Sequence, residues 1–207
     1  MQIFRSLSDF PIINGNIEKY FLTSSTDQDV LLFYINKPSV IVGRNQSIDA
    51  EVNTVYCKAH GIEVMKRISG GGAVYHDYGN INYAFIVRKN TESVLDLDFS
   101  TPILAALASF GIRATVGLRK ELLVDGKKIS GTSSHVTRNR ILFHGTLLHD
   151  TNLIHLSESL KGDSSLRGRH ISSTPAPVIN LSEITGTTET TRQFLDKLLE
   201  FFTDYFS

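Results

Sequence analysis

Several features that mark other classes of protein are scarce or missing in this sequence. The 207 residues include one cysteine, Cys57, and no tryptophan. A single thiol cannot form a disulfide or a thiolate metal cluster within one chain, which favours a reducing compartment, so we expect a cytoplasmic protein. No apolar run approaches the roughly 18 residues that a membrane span requires, and the amino terminus lacks a basic segment followed by an apolar one. We therefore expect a soluble protein.

The charges are balanced, with 21 basic and 21 acidic residues. A chain without net charge has no overall electrostatic field that would attract a polyanion, so we expect neither nucleic acid nor a membrane as a partner. At 41% hydrophobic residues, the chain can bury one sizeable core. The sequence therefore predicts a single domain over residues 1–207.

The spacing of apolar residues predicts helices and strands that do not alternate strictly. Asp125 and Gly126 predict a hairpin turn, and the Pro/Ser-rich stretch 172–177 predicts an exposed loop. Because strict alternation is absent, we expect an α+β fold with a mixed or mainly antiparallel sheet flanked by helices. Helices are predicted over 16–22, 49–60, 102–110 and 192–206, and strands over 27–35, 39–43, 62–65, 83–88, 112–116, 121–124, 127–131 and 141–148.

Three consecutive glycines stand out in the segment 66–82, KRISGGGAVYHDYGNIN. Without Cβ atoms, such a backbone can bring N–H groups against phosphate or carboxylate oxygens, and Arg67 would add a cationic group beside them. Taken alone, the glycines also fit a flexible surface turn. The pattern matches neither a P-loop nor a dinucleotide-binding fingerprint.

The block from Arg67 to Asp77, followed by Gly79-Asn80 and Asn82-Tyr83, resembles the signature of the lipoate-protein ligase A family. The resemblance implies a fold similar to biotin ligases and class II aminoacyl-tRNA synthetases, and a chain without the family's C-terminal accessory domain. Further matches follow in the family's order at 43–46 (GRNQ), 51–53 (EVN), 126–131 (GKKISG) and 144–148 (HGTLL), so that the similarity covers residues 14–181.

The activity that this resemblance implies is ATP-dependent. Lipoate would be activated to lipoyl-AMP, with Mg²⁺ arriving together with ATP, and the lipoyl group would pass to a lysine of another protein. The implied acceptors are apo lipoyl domains of 2-oxoacid dehydrogenase complexes or the glycine cleavage H protein. A separate accessory protein could assist.

The resemblance also assigns site residues, of which Lys128 is the catalytic one. Its ammonium would neutralise charge as the carboxylate attacks phosphorus, whereas Lys127 fits a solvated surface position. For His144, a hydrogen-bonded structural role and a place beside the acyl site are both open. The implied ATP-binding residues are Arg67, Gly72, Ala73, Val74, Tyr75 and Lys128, and the implied lipoate-binding residues are Arg67, Ser69, Gly70, Gly71, Lys128 and His144.

The remaining reactive residues give weaker evidence about function. His76 and Asp77 are adjacent, and adjacent residues of an extended segment point to opposite faces, so we expect orienting hydrogen bonds rather than a metal or acid-base pair. The histidines at 60, 135, 149, 155 and 170 lack paired ligand spacing, so no metal site is predicted. We interpret Cys57 as a buried helix residue.

Two departures from the family keep other functions open. Members carry Gly-Arg-Asn-Asp where this chain has Leu118-Arg119-Lys120-Glu121, and many continue into the accessory domain. A transferase that uses preformed acyl-AMP, a catalytic subunit that needs an accessory protein, and a noncatalytic binding module are the alternatives. A biotin ligase is disfavoured because its Gly-Arg-Gly-Arg-x-Gly-Arg loop is absent.

Overall fold

The structure is a computed structural model that describes residues 1–25, 27–89, 98–166 and 172–207; His170 lies outside these ranges. The strands are β1 (Gln2–Arg5), β2 (Val30–Tyr34), β3 (Ser39–Val42), β4 (Glu63–Lys66), β5 (Val74–His76), β6 (Asn80–Arg88), β7 (Thr115–Val116), β8 (Leu122–Val124), β9 (Lys127–Ser130), β10 (Thr132–Val136) and β11 (Arg140–Leu148). The helices are α1 (Pro11–Thr23), α2 (Ile48–Glu51), α3 (Thr54–Ala59), α4 (Ser100–Ser109), α5 (Leu153–Ser159), α6 (Leu181–Thr185) and α7 (Thr191–Tyr205).

The main sheet has five strands in the order β1-β2-β6-β11-β10. Only β1 and β2 pair in parallel within it, and the other neighbours are antiparallel. Two three-stranded sheets, β4-β3-β5 and β7-β8-β9, flank it. The predicted mixed, mainly antiparallel α+β fold is confirmed.

Alternating residues of the main sheet build two separate cores, as the two-residue period of a strand requires. One face carries Phe33, Tyr83 and Phe85, which belong to a cluster completed by α4 and α7. The opposite face carries Leu32 and Ala84, and α1 covers it. The apolar stripe predicted for the last helix is the reason it packs there, since its members Phe194, Leu198 and Phe202 are buried.

Most predicted elements are present, with two informative corrections. The helix predicted over 49–60 is two helices, because Val52 is extended and the Asn53 side chain caps α3 by accepting from Tyr56 N at 3.0 Å. The strand predicted from residue 83 begins at Asn80, since Asn80 and Asn82 are buried polar residues that hide the strand pattern. Strands β1, β5 and β10 and helices α5 and α6 were not predicted as elements.

Turn and terminus predictions are confirmed. Asp125 and Gly126 both have positive φ, 49° and 75°, which is the conformation of a tight hairpin turn between β8 and β9. Gly111 ends α4 in the left-handed region at φ 81°. Cys57 is buried in α3, as predicted. None of the helices in the described ranges combines the length and apolar character needed to cross a bilayer.

Candidate active site

A cavity of about 590 Å³ opens beside the main sheet, between α1, the glycine segment and the ends of β6, β9 and β11. The segment around Ser173 forms its remaining wall. The predicted site residues that line this cavity are Arg67, Gly71, Gly72, Ala73, Val74, Lys128 and His144. Residues of the family signature as far apart in sequence as Arg67 and His144 are therefore brought together around one space.

Arg67 organises the glycine segment from inside. Its Nη2 donates to the carbonyl oxygens of Gly70 and Gly72 at 2.6 and 2.7 Å, and its Nη1 donates to Ile41 O at 2.9 Å. Its Nε donates to Ser69 Oγ at 2.9 Å. Burial lowers the Arg67 pKa to about 10, so the side chain stays a cation at neutral pH. The guanidinium thus holds the loop in one shape while also facing the cavity.

Two glycines are required by this shape. Gly71 has φ 82°, a conformation that L side chains rarely adopt. A Cβ on Gly43 would lie 2.0 Å from Gly71 O, so the two backbones pack together in a way that any larger residue would prevent. The Gly-Arg-Asn-Gln stretch that begins at Gly43 therefore supports the glycine segment by contact.

A continuous hydrogen-bonded chain runs along the deep side of the cavity, where Glu18, Tyr34 and His144 line the space and Ser69 lies directly behind them. Ser69 Oγ and His144 Nε2 are 2.7 Å apart, and His144 Nδ1 lies 3.0 and 3.1 Å from the two carboxylate oxygens of Glu18. Tyr34 donates its hydroxyl to Glu18 Oε1 at 2.8 Å. Because a carboxylate only accepts, the proton between His144 and Glu18 belongs to Nδ1. Ser69 Oγ continues the chain, because it lies 2.7 Å from His144 Nε2 and accepts from Arg67 Nε.

Burial shapes the character of this wall. Ser69 is 0% exposed and Glu18 is 3% exposed. Burial and the Glu18 carboxylate raise the pKa of Tyr34 well above its ordinary value, so the phenol remains a donor. We name the set Glu18, Tyr34, Ser69 and His144 the acyl-side wall, because it surrounds the part of the cavity that the resemblance assigns to the acyl group.

Lys128 reaches the cavity from β9. A Cβ placed on Gly131 would lie 3.1 Å from Lys128 Nζ and 3.8 Å from Val74 Cγ1, so the ammonium sits close to the end of the glycine segment. Burial lowers the pKa of Lys128, a change that the Glu121 carboxylate opposes and Arg119 reinforces. Lys127 is exposed. Within the described part of the chain, Lys128 Nζ makes no hydrogen bond or ion pair.

The segment 172–177 crosses the glycine segment and is fixed there by one serine. Ser173 Oγ accepts from Ala73 N at 2.9 Å and from Gln46 Nε2 at 3.0 Å. Ser173 N donates to Glu51 Oε2 at 3.0 Å. Most of this segment is exposed, as predicted for a loop. We call the contacts of Ser173 with Ala73, Gln46 and Glu51 the serine latch.

Three predicted site residues do not face the cavity. Ser69 and Gly70 lie directly behind its wall, where they bond to Arg67. Tyr75 points to the other side of β5, into a cluster with Val40 and Cys57. His76 and Asp77 make the orienting hydrogen bonds predicted for them: His76 with Asn36, and Asp77 as acceptor from Gly79 N and Asn152 N.

Three residues of the site were not predicted from the sequence: Glu18, Tyr34 and Ser173. A signal for Glu18 was present, because Asn14, Glu18 and Leu22 follow a four-residue spacing and therefore share one helix face. Two polar residues on the face that carries a buried leucine indicate a functional or hydrogen-bonded wall. Ser173 gave no such signal, since serines in a polar stretch are ordinary.

The sequence pattern of the family described as Lipoyl protein ligase A/B catalytic domain matches residues 11–203. The chain belongs to this family. Lipoate-protein ligase LplJ of Bacillus subtilis is 40% identical to it over 192 residues, which are 91% of this chain and 58% of LplJ. The chain thus spans somewhat more than half the length of this relative.

Solved structures of family members have the same fold. P. falciparum LipL1, in complex with lipoate, matches with TM-score 0.79 and 26% identity over 99% of this chain and 60% of that one. Lipoate-protein ligase A bound with ATP matches with TM-score 0.77 and 24% identity over 100% of this chain and 86% of that one. Biotin protein ligase from Aquifex aeolicus matches more distantly, with TM-score 0.50 and 12% identity over 99% and 67%. The predicted biotin-ligase-like fold is confirmed.

Proposed function

We propose that this family member is a lipoate-protein ligase that activates lipoate with ATP and transfers the lipoyl group to a lysine of a lipoyl-domain protein. The observation that carries this proposal is the position of the Lys128 ammonium in the cavity. Its half-buried ammonium lies near Val74, at the end of the glycine segment, and makes no hydrogen bond or ion pair in the described residues. A buried charge without a partner is unfavourable unless a ligand of opposite charge binds it.

Two anionic groups meet in such a reaction. A lipoate carboxylate oxygen attacks the α-phosphorus of ATP, the bond to pyrophosphate breaks, and lipoyl-AMP forms. The acceptor lysine amine then attacks the acyl carbonyl carbon, and AMP leaves with the electrons of the broken C–O bond. We assign to Lys128 the stabilisation of negative charge in both steps, because a preorganised cation acts most strongly where charge develops in a dry site.

The rest of the predicted assignment follows from the same proposal. Gly72, Ala73 and Val74 would lie along the nucleotide, Tyr75 would contribute only backbone, and the acyl-side wall would contain the lipoyl chain. Ser69 and Gly70 would act through Arg67 and His144 rather than by touching the acyl group. The ligands themselves are supported by two structures of the same fold, lipoate-protein ligase A bound with ATP and LipL1 in complex with lipoate.

Mg²⁺ fits this site through one carboxylate. Glu121 lines the cavity, its Oε2 accepts from Arg119 N at 2.7 Å, and its charge acts on Lys128. Magnesium is usually held by one or two carboxylates together with substrate phosphates and water. When bound with ATP, the ion would neutralise phosphate charge. No group of three or more His, Cys, Asp or Glu in the described ranges is placed to hold a metal.

Acyl transfer from preformed lipoyl-AMP is the second candidate. It is favoured by the departure at Lys120, which replaces the family's asparagine next to the Glu121 carboxylate. A separate accessory protein would then support adenylation. That residues 1–207 form one catalytic domain, and that the protein is cytoplasmic, remain predictions. The proposed acceptors are lipoyl domains of 2-oxoacid dehydrogenase complexes or the glycine cleavage H protein.

The decisive experiment is mass spectrometry of an apo lipoyl domain incubated with this protein. One reaction contains Mg-ATP and lipoate, and a parallel reaction contains synthetic lipoyl-AMP. A lipoyl mass increase in both supports the complete ligase. An increase with lipoyl-AMP alone supports the transferase that needs a partner. An unmodified domain in both reactions, together with measurable lipoate binding, would leave only the noncatalytic binding module.

A further inference from the structure

Two histidines from different helices meet on the surface, away from the cavity. His60 caps the end of α3 and His155 lies in α5, and their ring centroids are 5.2 Å apart at an interplanar angle of 64°. His60 is exposed and His155 is half-buried. Neither residue lines the cavity. The two histidines are distant in sequence, so it is the packing of α3 against α5 that brings two metal-ligating rings together.

One residue, Tyr56, contacts both rings. His60 Nδ1 lies 2.9 Å from the Tyr56 carbonyl oxygen, and His155 Nδ1 lies 2.9 Å from the Tyr56 hydroxyl. The Tyr56 ring also stacks on His60, with centroids 4.0 Å apart and an interplanar angle of 26°. Because a carbonyl oxygen only accepts, neutral His60 carries its proton on Nδ1 and a lone pair on Nε2. The Tyr56 hydroxyl can accept from His155 Nδ1 in the same way.

The second nitrogen of each ring is available to a ligand. Neither Nε2 atom makes a hydrogen bond or ion pair within the described residues. His155 Nε2 is not one of the enclosed, unpaired side-chain atoms of those residues, so it is accessible to solvent, as is the exposed His60 ring. Metal-bound histidines have this arrangement, since the ring nitrogen that does not bind the metal donates its N–H to a carbonyl or another acceptor.

The separation of the two rings suits one tetrahedral ion. Zn–N bonds are about 2.0–2.1 Å long and a ring centroid lies roughly 1.1 Å beyond the bound nitrogen, so two imidazoles on one zinc have centroids about 5 Å apart. The centroids of His60 and His155 have this spacing, at 5.2 Å. One ion can therefore be reached by both rings without moving α3 relative to α5.

We propose that His60 and His155 form a binding site for a divalent transition metal such as Zn²⁺, with both Nε2 atoms as ligands, and that Tyr56 is the positioning residue that orients the two rings. Imidazole is a preferred ligand of such ions. Water completes the coordination, because two protein ligands leave two positions of a tetrahedral ion open. The bound ion joins α3 to α5, the helix that packs against β5 directly after the glycine segment. This site does not depend on the proposed function.

Zinc binding is tested by calorimetric titration of the metal-free protein with ZnCl₂ in excess Mg²⁺, which occupies sites made of oxygen ligands. The wild type should bind one Zn²⁺ per chain. His60→Asn and His155→Asn each remove a ligand, while the asparagine amide can keep the hydrogen bond to Tyr56 and so preserve the fold. Each should weaken binding by at least about 100-fold, more than the loss of an outer-shell partner.

Two further variants separate the role of Tyr56 from general effects of mutation. Tyr56→Phe keeps the carbonyl and the ring but removes the hydroxyl that His155 contacts, so it should weaken Zn²⁺ binding about tenfold. His135→Asn, on strand β10, is the matched control and should bind Zn²⁺ with the wild-type Kd. A Tyr56→Phe variant that binds as tightly as the wild type would contradict the positioning role.

NMR of the ¹⁵N-histidine-labelled protein locates the ion. One equivalent of Zn²⁺ should shift the Nε2 resonances of His60 and His155 together and leave Nδ1 of both rings protonated. Shifts confined to other histidines would place the ion elsewhere and overturn the proposal. It would also be overturned if the wild type bound no Zn²⁺, or if the two asparagine variants bound it with the wild-type Kd.

Discussion

The two sides of the cavity differ in how their polar groups are satisfied. On the acyl-side wall, Glu18, Tyr34, Ser69 and His144 bond to one another, and Arg67 closes the chain. At the end of the glycine segment, by contrast, Lys128 carries a half-buried charge that makes no hydrogen bond or ion pair in the described residues. The polar groups of the acyl-side wall are paired before any ligand binds, whereas Lys128 would gain its partner from the ligand.

This difference suggests that the acyl-side wall contributes shape to the cavity and that Lys128 contributes charge. A closed network in a low-dielectric interior is rigid, because every member would lose a bond if it moved. Such a wall can hold an apolar chain by shape, while a lone cation attracts an anion and contributes little shape. Removing a residue from either side should therefore have different consequences: lost activity on the Lys128 side, and lost stability on the acyl side.

Lys128→Ala should produce the largest effect. It removes the cation that stabilises transition-state charge, so acylation of an apo lipoyl domain should fall by at least about 100-fold, measured by mass spectrometry over a time course. The free energy of unfolding should change by less than about 0.5 kcal/mol, because the half-buried ammonium makes no hydrogen bond or ion pair in the described residues. Lys127→Ala, on the same strand but exposed, should retain wild-type activity. Full activity of Lys128→Ala would contradict the assignment.

Glu18→Ala should break the acyl-side wall. It leaves the Tyr34 hydroxyl and His144 Nδ1–H without their acceptor, and each buried unsatisfied donor costs about 1–3 kcal/mol. Since water from the cavity can reach this position, we expect a total loss of about 2 kcal/mol in the free energy of unfolding, measured with urea. Lys19→Ala, an exposed neighbour on the same helix, should change stability by less than about 0.5 kcal/mol. Equal stability of both variants would mean that the wall is not a closed network.

Ser173→Ala should release the serine latch and leave the rest of the fold intact. The lost hydrogen bonds correspond to about 1 kcal/mol of local opening, a factor of about five. Cleavage of the native protein by proteinase K within 172–177 should accelerate by that factor. Thr174→Ala, at an exposed neighbour whose side chain makes no hydrogen bond within the described residues, is the control and should be cut at the wild-type rate. Identical rates for both variants would show that Ser173 does not hold the segment.

Lys120→Asn should give the smallest effect, a gain in stability. Lys120 has φ 62°, in the left-handed region, where asparagine is tolerated better than lysine. We expect an increase of up to about 1 kcal/mol in the free energy of unfolding. Lys127→Asn, in extended backbone, should give no gain, because asparagine is disfavoured in strands. A loss of stability at residue 120 would show that the lysine makes a compensating contact.

The same contrast explains what the sequence could predict. The glycine segment and Lys128 were predictable because they stand in one local signature whose residue types carry the chemistry. The acyl-side wall was not, since Glu18 meets His144 only after strands distant in sequence have paired. The lysine at 120 was noticed as a departure, but its left-handed backbone, which explains the family's asparagine, required the structure.

Helices and strands, too, could be predicted where their own local sequence carries a pattern. Apolar strands such as β2 and the amphipathic α7 were predicted, because burial on one face leaves a periodic pattern. Strand β10, Thr132–Val136, is an edge strand of mostly polar residues and leaves no such pattern. The break between α2 and α3 depended on one side chain, Asn53, competing with the backbone for a hydrogen bond.

The contacts that close the cavity join distant parts of the chain: Glu18 to His144 across 126 positions, and Gln46 to Ser173 across 127. Closing loops of this size costs conformational entropy before the contacts that compensate for it can form. Topologies dominated by such long-range pairings therefore fold slowly. The cavity therefore has no local precursor that could form while the chain is incomplete. A nascent chain emerging from the ribosome acquires its binding site only after both ends are available, so ligand affinity reports completed folding.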